Sequence, residues 1–95
     1  MHRDTEEVVD EFFAGAPRAA EWRALRQALG DRLRALRKQR ASETDPALFG
    51  PLDTQIAALT RQVTTLETEE VVARFVEDSV KATLARSVED GEDEE

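Results

Sequence analysis

Residues 52–66 read LDTQIAALTRQVTTL, and this stretch contains the most regular hydrophobic pattern in the chain. Its large apolar residues recur at alternating intervals of four and three positions, namely Leu52, Ile56, Leu59, Val63 and Leu66. Heptad spacing of this kind places all five side chains along one face of an α-helix. Because the pattern covers so few heptads, it favours a helix of a small bundle over a long coiled coil. The stretch therefore predicts an all-α fold.

Downstream of Leu66 the pattern changes. The same spacing continued would reach Glu70, Ala73 and Glu77, which are poor residues for an apolar core. The apolar residues of this region lie on a different face: they are Val71, Val72, Phe75, Val76, Val80, Leu84 and Val88. We predict a break near Thr68, with helices over about 46–67 and 68–88; one long helix that changes the neighbour it faces is the alternative.

Residues 68–76, TEEVVARFV, repeat much of residues 5–13, TEEVVDEFF. Both segments begin with a hydroxyl residue followed by two carboxylates, which is typical of a helix N-terminus. This similarity supports the predicted break, whether the two segments are a true internal repeat or a chance resemblance.

Upstream, residues 18–41 are predicted to form a long basic helix. Trp22, Leu25, Leu29, Leu33 and Leu36 form one apolar stripe on it. Residues 18–40 carry eight basic and two acidic side chains, and the basic residues gather on one flank of the stripe. The following segment contains Asp45 and Pro46, a cap followed by a proline at the first helical position. A short link between two amphipathic helices predicts that they pack antiparallel.

The two ends of the chain are predicted to differ in structure. Asp4 and Thr5 are candidate caps of a short helix over about 4–14, and Gly15 and Pro17 end it. At the other end, residues 89–95 hold six carboxylates in seven positions, and this charge density predicts a disordered acidic tail.

Length and composition limit the class of protein. The chain has 95 residues, a net charge of −8, 40% hydrophobic and 36% charged residues, and no cysteine. This length fits one domain, here residues 1–88, and the absence of cysteine excludes disulfides and thiolate chemistry. No apolar run is long enough for a signal peptide or a membrane span. We expect a soluble cytoplasmic protein without membrane contact.

Catalytic motifs are missing from the sequence. The single histidine is His2, there is no GxSxG pattern, and the four glycines are isolated. Carboxylates at Glu67, Glu70, Glu77 and Asp78 could hold a metal ion only if they faced inward together. Several of them are spaced i, i+4 from a basic residue, which is typical of a solvated helix face. The sequence therefore predicts no enzyme activity, cofactor, metal or small-molecule substrate.

A cationic helix inside an acidic protein has two explanations. It could bind nucleic-acid phosphates, or it could pair with protein carboxylates in this chain, in a dimer mate or in another protein. We favour carboxylates and predict a regulatory or adaptor-like protein-interaction module that acts through a homodimer or a larger partner. Nucleic-acid association through residues 18–40 and an acidic inhibitor that mimics nucleic acid are the alternatives. The predicted binding residues are Arg23, Arg26, Arg34, Arg37, Val8, Phe12, Val72, Phe75 and Val76.

Overall fold

The computed structural model describes the backbone of residues 4–93 and the side chains of residues 4–87. Within this range the chain forms three helices: α1 (Thr5–Phe13), α2 (Ala19–Ser42) and α3 (Pro46–Asp93). Residues 4–93 contain no β-strand. The predicted all-α class is confirmed.

The molecule is a rod whose Cα extents are 75 × 17 × 17 Å. Its radius of gyration is 20.9 Å, whereas a compact domain of this length has a radius of about 12 Å. The length of the rod is that of α3, because a helix of 48 residues spans about 72 Å. α2 has 24 residues, half the number in α3, so the long helices form an elongated pair.

Ion pairs between α2 and α3 follow opposite orders along the two helices. Arg18, just before α2, contacts Glu77 at 3.2 Å, and Arg26 contacts Glu70 at 2.9 Å. At the far end of α2, Arg40 contacts Asp53 at 2.9 Å. The Arg40 guanidinium also lies over the Phe49 ring, 3.9 Å from its centroid.

The core of the rod is a seam of heptad positions on both helices. Every seam position is buried or half-buried. On α2 the seam comprises Ala19, Trp22, Arg26, Leu29, Leu33, Leu36 and Arg40. On α3 it comprises Leu52, Ile56, Leu59, Val63, Leu66, Glu70, Ala73 and Glu77. The pattern first seen in residues 52–66 therefore continues through the two glutamates.

The predicted break near Thr68 is wrong, because α3 is one helix from Pro46 to Asp93. The Thr68 hydroxyl donates a hydrogen bond to the Thr64 carbonyl at 3.2 Å, as a threonine inside a helix does, and it caps no new helix. The physical reason is that Arg26 of α2 pairs with Glu70 and Arg18, just before α2, pairs with Glu77, so these carboxylates can occupy seam positions.

The acidic segment differs in part from the expectation. Residues 89–93 belong to α3, although the whole of 89–95 was predicted to be disordered. Asp90, Gly91 and Asp93 are poor helix formers, but extension of an existing helix requires no new nucleation, and Glu89 and Glu92 have a high helix propensity. Residues 94 and 95 lie outside the described residues.

α1 packs against α3 near the start of α2. The Asp4 carboxylate accepts a hydrogen bond from the Glu6 amide at 3.3 Å and caps the helix. Val9 is 0% exposed and anchors α1. The helix ends at Ala14, which has a left-handed conformation with φ 51°, and Gly15 follows with φ 87°.

Candidate partner-binding surface

Glu70 is the buried charge of the seam, with 8% of its surface exposed. Its carboxylate accepts a hydrogen bond from the Arg26 Nε at 2.9 Å and lies 3.7 Å from the Arg23 Nε. Arg74, one turn further along α3, donates to it at 3.3 Å. The hydrogen bond from Arg26 holds the pKa of Glu70 below its ordinary value, with further lowering by the charges of Arg26, Arg23 and Arg74. Two predicted partner-binding arginines are therefore engaged inside the chain.

Arg18 joins all three helices. It donates to Glu6 at 2.7 Å and Asp10 at 2.8 Å on α1, and to Glu77 at 3.2 Å on α3. Glu77 also accepts a hydrogen bond from the Ala19 amide at 2.9 Å, which satisfies one of the free amides at the start of α2. The hydrogen bond with Glu6 contributes most to raising the pKa of the Arg18 guanidinium, while hydrogen bonds from Arg18 and Lys81 lower the pKa of Glu6. Lys81 completes this cluster at 3.3 Å from Glu6.

The remaining predicted arginines lie on one long side of the rod, which we call the basic side. Arg34 pairs with Asp31 on the same helix, and both side chains are exposed. Arg37 is exposed and forms no ion pair with any described residue. A shallow groove of about 240 Å³ separates this part of α2 from α3. Its polar lining residues include Arg26, Arg34, Arg37, Gln27, Asp31 and Glu67, so both signs of charge are present.

The predicted apolar binding residues divide into exposed and half-buried groups. Phe75 is 71% exposed and Val72 is 52% exposed on α3, and Phe12 is exposed on α1. Val8 and Val76 are half-buried. Val8 and Phe12 line a groove of about 410 Å³ against Val80 and Leu84 of α3. Arg34 and Arg37 line the groove on the basic side, whereas Val8 and Phe12 line this separate groove.

The opposite long side of the rod carries apolar residues, and we call it the apolar side. It is defined by six exposed or half-buried residues, namely Leu25, Leu29 and Leu36 of α2 and Ala58, Leu66 and Val72 of α3. Its largest groove, of about 520 Å³, is lined by Leu29, Ala58, Arg61, Gln62, Thr65 and Leu66. A neighbouring groove of about 280 Å³ shares Ala58 and Gln62 with it and adds Leu36. A third groove places Val72 beside Trp22.

The sequence prediction missed most of this apolar side because it assigned Leu25 to the core. Arg26 occupies the seam position in its place, and Leu25 is half exposed. The signal was present in the sequence: Arg18 and Arg26 have nearly the same separation along α2 as Glu70 and Glu77 along α3. A matched pair of charges on both helices indicates polar seam positions.

The part of the chain that the structure describes has no candidate metal centre. In that part, no group of three or more histidine, cysteine, aspartate or glutamate side chains could hold a metal ion. The described helices also include none that is both long and apolar enough to cross a membrane. His2 lies outside the described residues.

No protein-family model matches this chain, and no curated protein or solved structure is significantly similar to it.

Proposed function

We propose that this chain is a non-enzymatic protein–protein interaction module. In this proposal it acts in the cytoplasm as a regulatory or adaptor protein, through a homodimer or a larger partner. The observation that carries the proposal is the apolar side, where Leu25 and Val72 are about half exposed and the half-buried Leu29 and Leu66 line a groove. Contiguous apolar surface of this kind is typical of sites at which another protein binds.

The proposal treats α2 and α3 as an antiparallel helical hairpin. The reversed order of the ion pairs from Arg18–Glu77 to Arg40–Asp53 supports this arrangement. A two-helix hairpin has only one seam, so each helix keeps an outer surface that no third helix covers. The acidic residues 89–95 are not part of the proposed docking surface.

Exposed apolar surface extends beyond the groove. The large hydrophobic residues that are exposed are Phe12, Leu25, Leu48, Val71, Val72 and Phe75. Val71, Val72 and Phe75 lie within two turns of α3, so they form a cluster. Burial of a side chain of this size stabilises a complex by about 1.5–3 kcal/mol. A partner that covered this cluster would therefore gain substantial binding energy.

Glu70 supports a structural role over a catalytic one. A carboxylate that acts as a general base needs a pKa near the working pH. Burial usually supplies this by raising the pKa of the carboxyl group. Here the hydrogen bond from Arg26 lowers the pKa of Glu70, so the carboxylate is a weak base that stays ionised.

Nucleic-acid association through residues 18–40 is less favoured than protein binding. Arg18, Arg23 and Arg26 already contact carboxylates of this chain. On the basic side, Asp31 and Glu67 would repel phosphates that approached Arg34 and Arg37. An acidic inhibitor that mimics nucleic acid is the remaining alternative, and it would be revealed by competition with nucleic acid for a basic partner.

The proposal is tested by comparing two variants of the tagged full-length chain in its native host. Leu25→Glu/Val72→Glu places charges on the apolar side, and Arg34→Glu/Arg37→Glu changes charge on the basic side. We expect the first variant to lose the proteins that co-purify with the wild type, including untagged copies of this chain, as measured by quantitative mass spectrometry. The second variant should retain them.

The opposite result, in which only the basic-side variant loses its partners, would contradict the proposal. Circular dichroism of both variants establishes that each retains the helix content of the wild type. A nucleic-acid shift assay at low salt accompanies the comparison, and we expect no binding.

A further inference from the structure

We propose that the apolar side binds a second copy of this chain in the reverse orientation, so that two hairpins form a four-helix assembly. This inference rests on the proposed function and names the partner of the same surface. It depends on three observations: the excess of exposed area, the apolar groove between α2 and α3, and the order of unpaired charges beside that groove.

The exposed area is larger than a monomer of this mass requires. A folded chain of 10.7 kDa exposes about 5,500 Å² as a compact monomer, but this chain exposes 7127 Å². The difference exceeds the roughly 800 Å² that each partner buries in a standard interface. The excess is therefore large enough to supply a standard interface with a second copy.

Unpaired charges border the apolar side in a fixed order. Towards the loop between α2 and α3, Arg61 lines the largest groove and Arg32 lines its neighbour. Towards α1, Glu69 lines the groove beside Trp22. Glu21 lies three helical turns before Arg32 on the same face of α2. None of these four charged residues forms an ion pair with any described residue, and all four are exposed.

This order of charges favours a two-fold symmetric, antiparallel pair. In such a pair, if one residue of the first copy contacts a different residue of the second, the reciprocal contact also forms. Each end of one copy therefore meets the opposite end of the other. Arg32 and Arg61 of each copy would then face Glu21 and Glu69 of the second copy. A parallel pair would instead place like charges together. Flanking charges are the usual determinant of helix orientation in such assemblies.

The symmetry axis is expected to pass between Thr65 and Glu69 of α3. Thr65 lies midway between Arg61 and Glu69 and lines the largest groove together with Leu29 and Leu66. The midpoint of Glu21 and Arg32 on α2 lies beside Glu70, which Arg26 contacts. The leucines of the two copies would meet at the axis, where they would be removed from water.

The decisive experiment uses complementary charge variants of the full chain. One variant carries Arg32→Glu/Arg61→Glu, so all four border charges are acidic; the other carries Glu21→Arg/Glu69→Arg, so all four are basic. We expect the wild type to sediment at twice 10.7 kDa. The self-association of each variant alone should be weaker by at least about 10-fold, because like charges meet. An equimolar mixture of the two variants should restore the dimer mass.

Arg34→Glu/Arg37→Glu is the matched control, because it makes the same change of charge on the basic side. Its dimer should be as stable as that of the wild type. A wild type that remains monomeric at high concentration would overturn the inference, as would a mixture that fails to dimerise or a control variant that loses the dimer. A monomeric wild type would leave the proposed function intact, since the co-purification comparison with Leu25→Glu/Val72→Glu does not require self-association.

A second measurement does not depend on charge reversal. The chain has no cysteine, so a single Thr65→Cys substitution supplies its only thiol. Near the symmetry axis the two thiols of a dimer should form a disulfide when a thiol oxidant is added. Thr64→Cys is the control. Thr64 is exposed, and because it precedes Thr65 on the helix its side chain is rotated about the helix axis away from the groove. Equal cross-linking of the two variants would overturn the antiparallel arrangement.

Discussion

Two halves of the α2–α3 seam have the same heptad geometry but different chemistry. In the half beside the loop, which we call the loop half, Leu33 and Leu36 pack in a seam with Ile56 and Leu59. In the other half, beside α1, the seam contains the pair Arg26–Glu70, and the seam residue Glu77 pairs with Arg18, just before α2. The loop half is stabilised by apolar burial. The α1 half, by contrast, combines the apolar residues Ala19, Trp22 and Ala73 with hydrogen-bonded charges whose desolvation offsets much of their attraction.

This difference separates stability from alignment. Apolar side chains at heptad spacing tolerate a shift of one heptad, because leucine can replace leucine against the facing helix. A buried guanidinium is satisfied only where a carboxylate faces it, so Arg26 and Glu70 specify one register. The loop half is therefore expected to contribute most of the folding energy, and the α1 half to select the alignment of the helices.

The largest effect is expected in the loop half. Leu33→Ala should lower the free energy of unfolding by about 3 kcal/mol, because Leu33 is buried and its removal leaves a cavity. Urea denaturation followed by circular dichroism measures this loss. Val71→Ala is the matched control on the exposed surface of α3 and should change stability by less than about 0.5 kcal/mol. Equal losses in the two variants would mean that the seam is not the core.

A smaller effect is expected from the charged pair in the α1 half. Glu70→Leu removes the carboxylate that Arg26 and Arg23 contact, so a half-buried guanidinium loses its partner and Tm should fall. The double variant Arg26→Leu/Glu70→Leu should recover the Tm of the wild type or exceed it, since leucine then occupies both seam positions. Thermal melts followed by Trp22 fluorescence measure both changes. A double variant no more stable than Glu70→Leu would contradict this account of the pair.

The α1 half also shows where prediction from the sequence succeeds and where it ends. Apolar spacing located the seam of α3 as far as Leu66, because burial of regularly spaced apolar residues is a local signal. Beyond that point the seam contains two carboxylates, Glu70 and Glu77, and their burial depends on arginines more than 40 residues away, as with Arg26 and Glu70. The two similar segments 5–13 and 68–76 illustrate the limit. Val9 of the first is fully buried, whereas Val72, its counterpart in the second, is half exposed.

The candidate surface was predicted less well than the fold for the same reason. The arginines of the basic helix were assigned to a partner, but only the tertiary structure decides whether a carboxylate of this chain reaches them first. Glu70 of this chain binds Arg26, so Arg26 occupies the seam and Leu25 lies on the surface. The apolar side therefore follows from the charged seam.

Acid should weaken the α1 half selectively. Because the hydrogen bond from Arg26 lowers the pKa of Glu70 below 4.5 in the folded chain, its contribution to stability is present above that pH. The contribution is lost as the pH falls through the lowered value, where Glu70 takes up a proton in the folded state as well. Glu70→Gln removes this titration. We therefore expect the Tm difference between wild type and Glu70→Gln to shrink as the pH decreases from 7 to 3.

The matched comparison for the acid effect is Asp53→Asn, at the exposed ion pair with Arg40 beside the loop. Exposed pairs contribute little because solvent screens them, so the Tm difference for this variant should be small throughout the pH range. A pH dependence as large for Asp53→Asn as for Glu70→Gln would show that general charge, and not the buried pair, controls acid stability.

The smallest effect concerns Gly30, which lies in α2 between the two halves of the seam. A Cβ added at this position would meet no atom within 4 Å, so the glycine is not required by a close approach of the helices. Gly30→Ala should raise the free energy of unfolding by about 1 kcal/mol, because alanine loses less backbone freedom in a helix. Urea denaturation with an unchanged m-value would measure this gain.

Gly15→Ala is the matched comparison for Gly30→Ala, because a Cβ at Gly15 also meets open space, yet its φ is +87°. Left-handed backbone costs an alanine about 1–2 kcal/mol, so the same substitution should destabilise the chain here. The opposite signs follow from backbone conformation alone, since neither site offers a steric obstacle. A loss of stability in Gly30→Ala would instead mean that bending of α2 at Gly30 is needed to align the apolar loop half with the charged half beside α1.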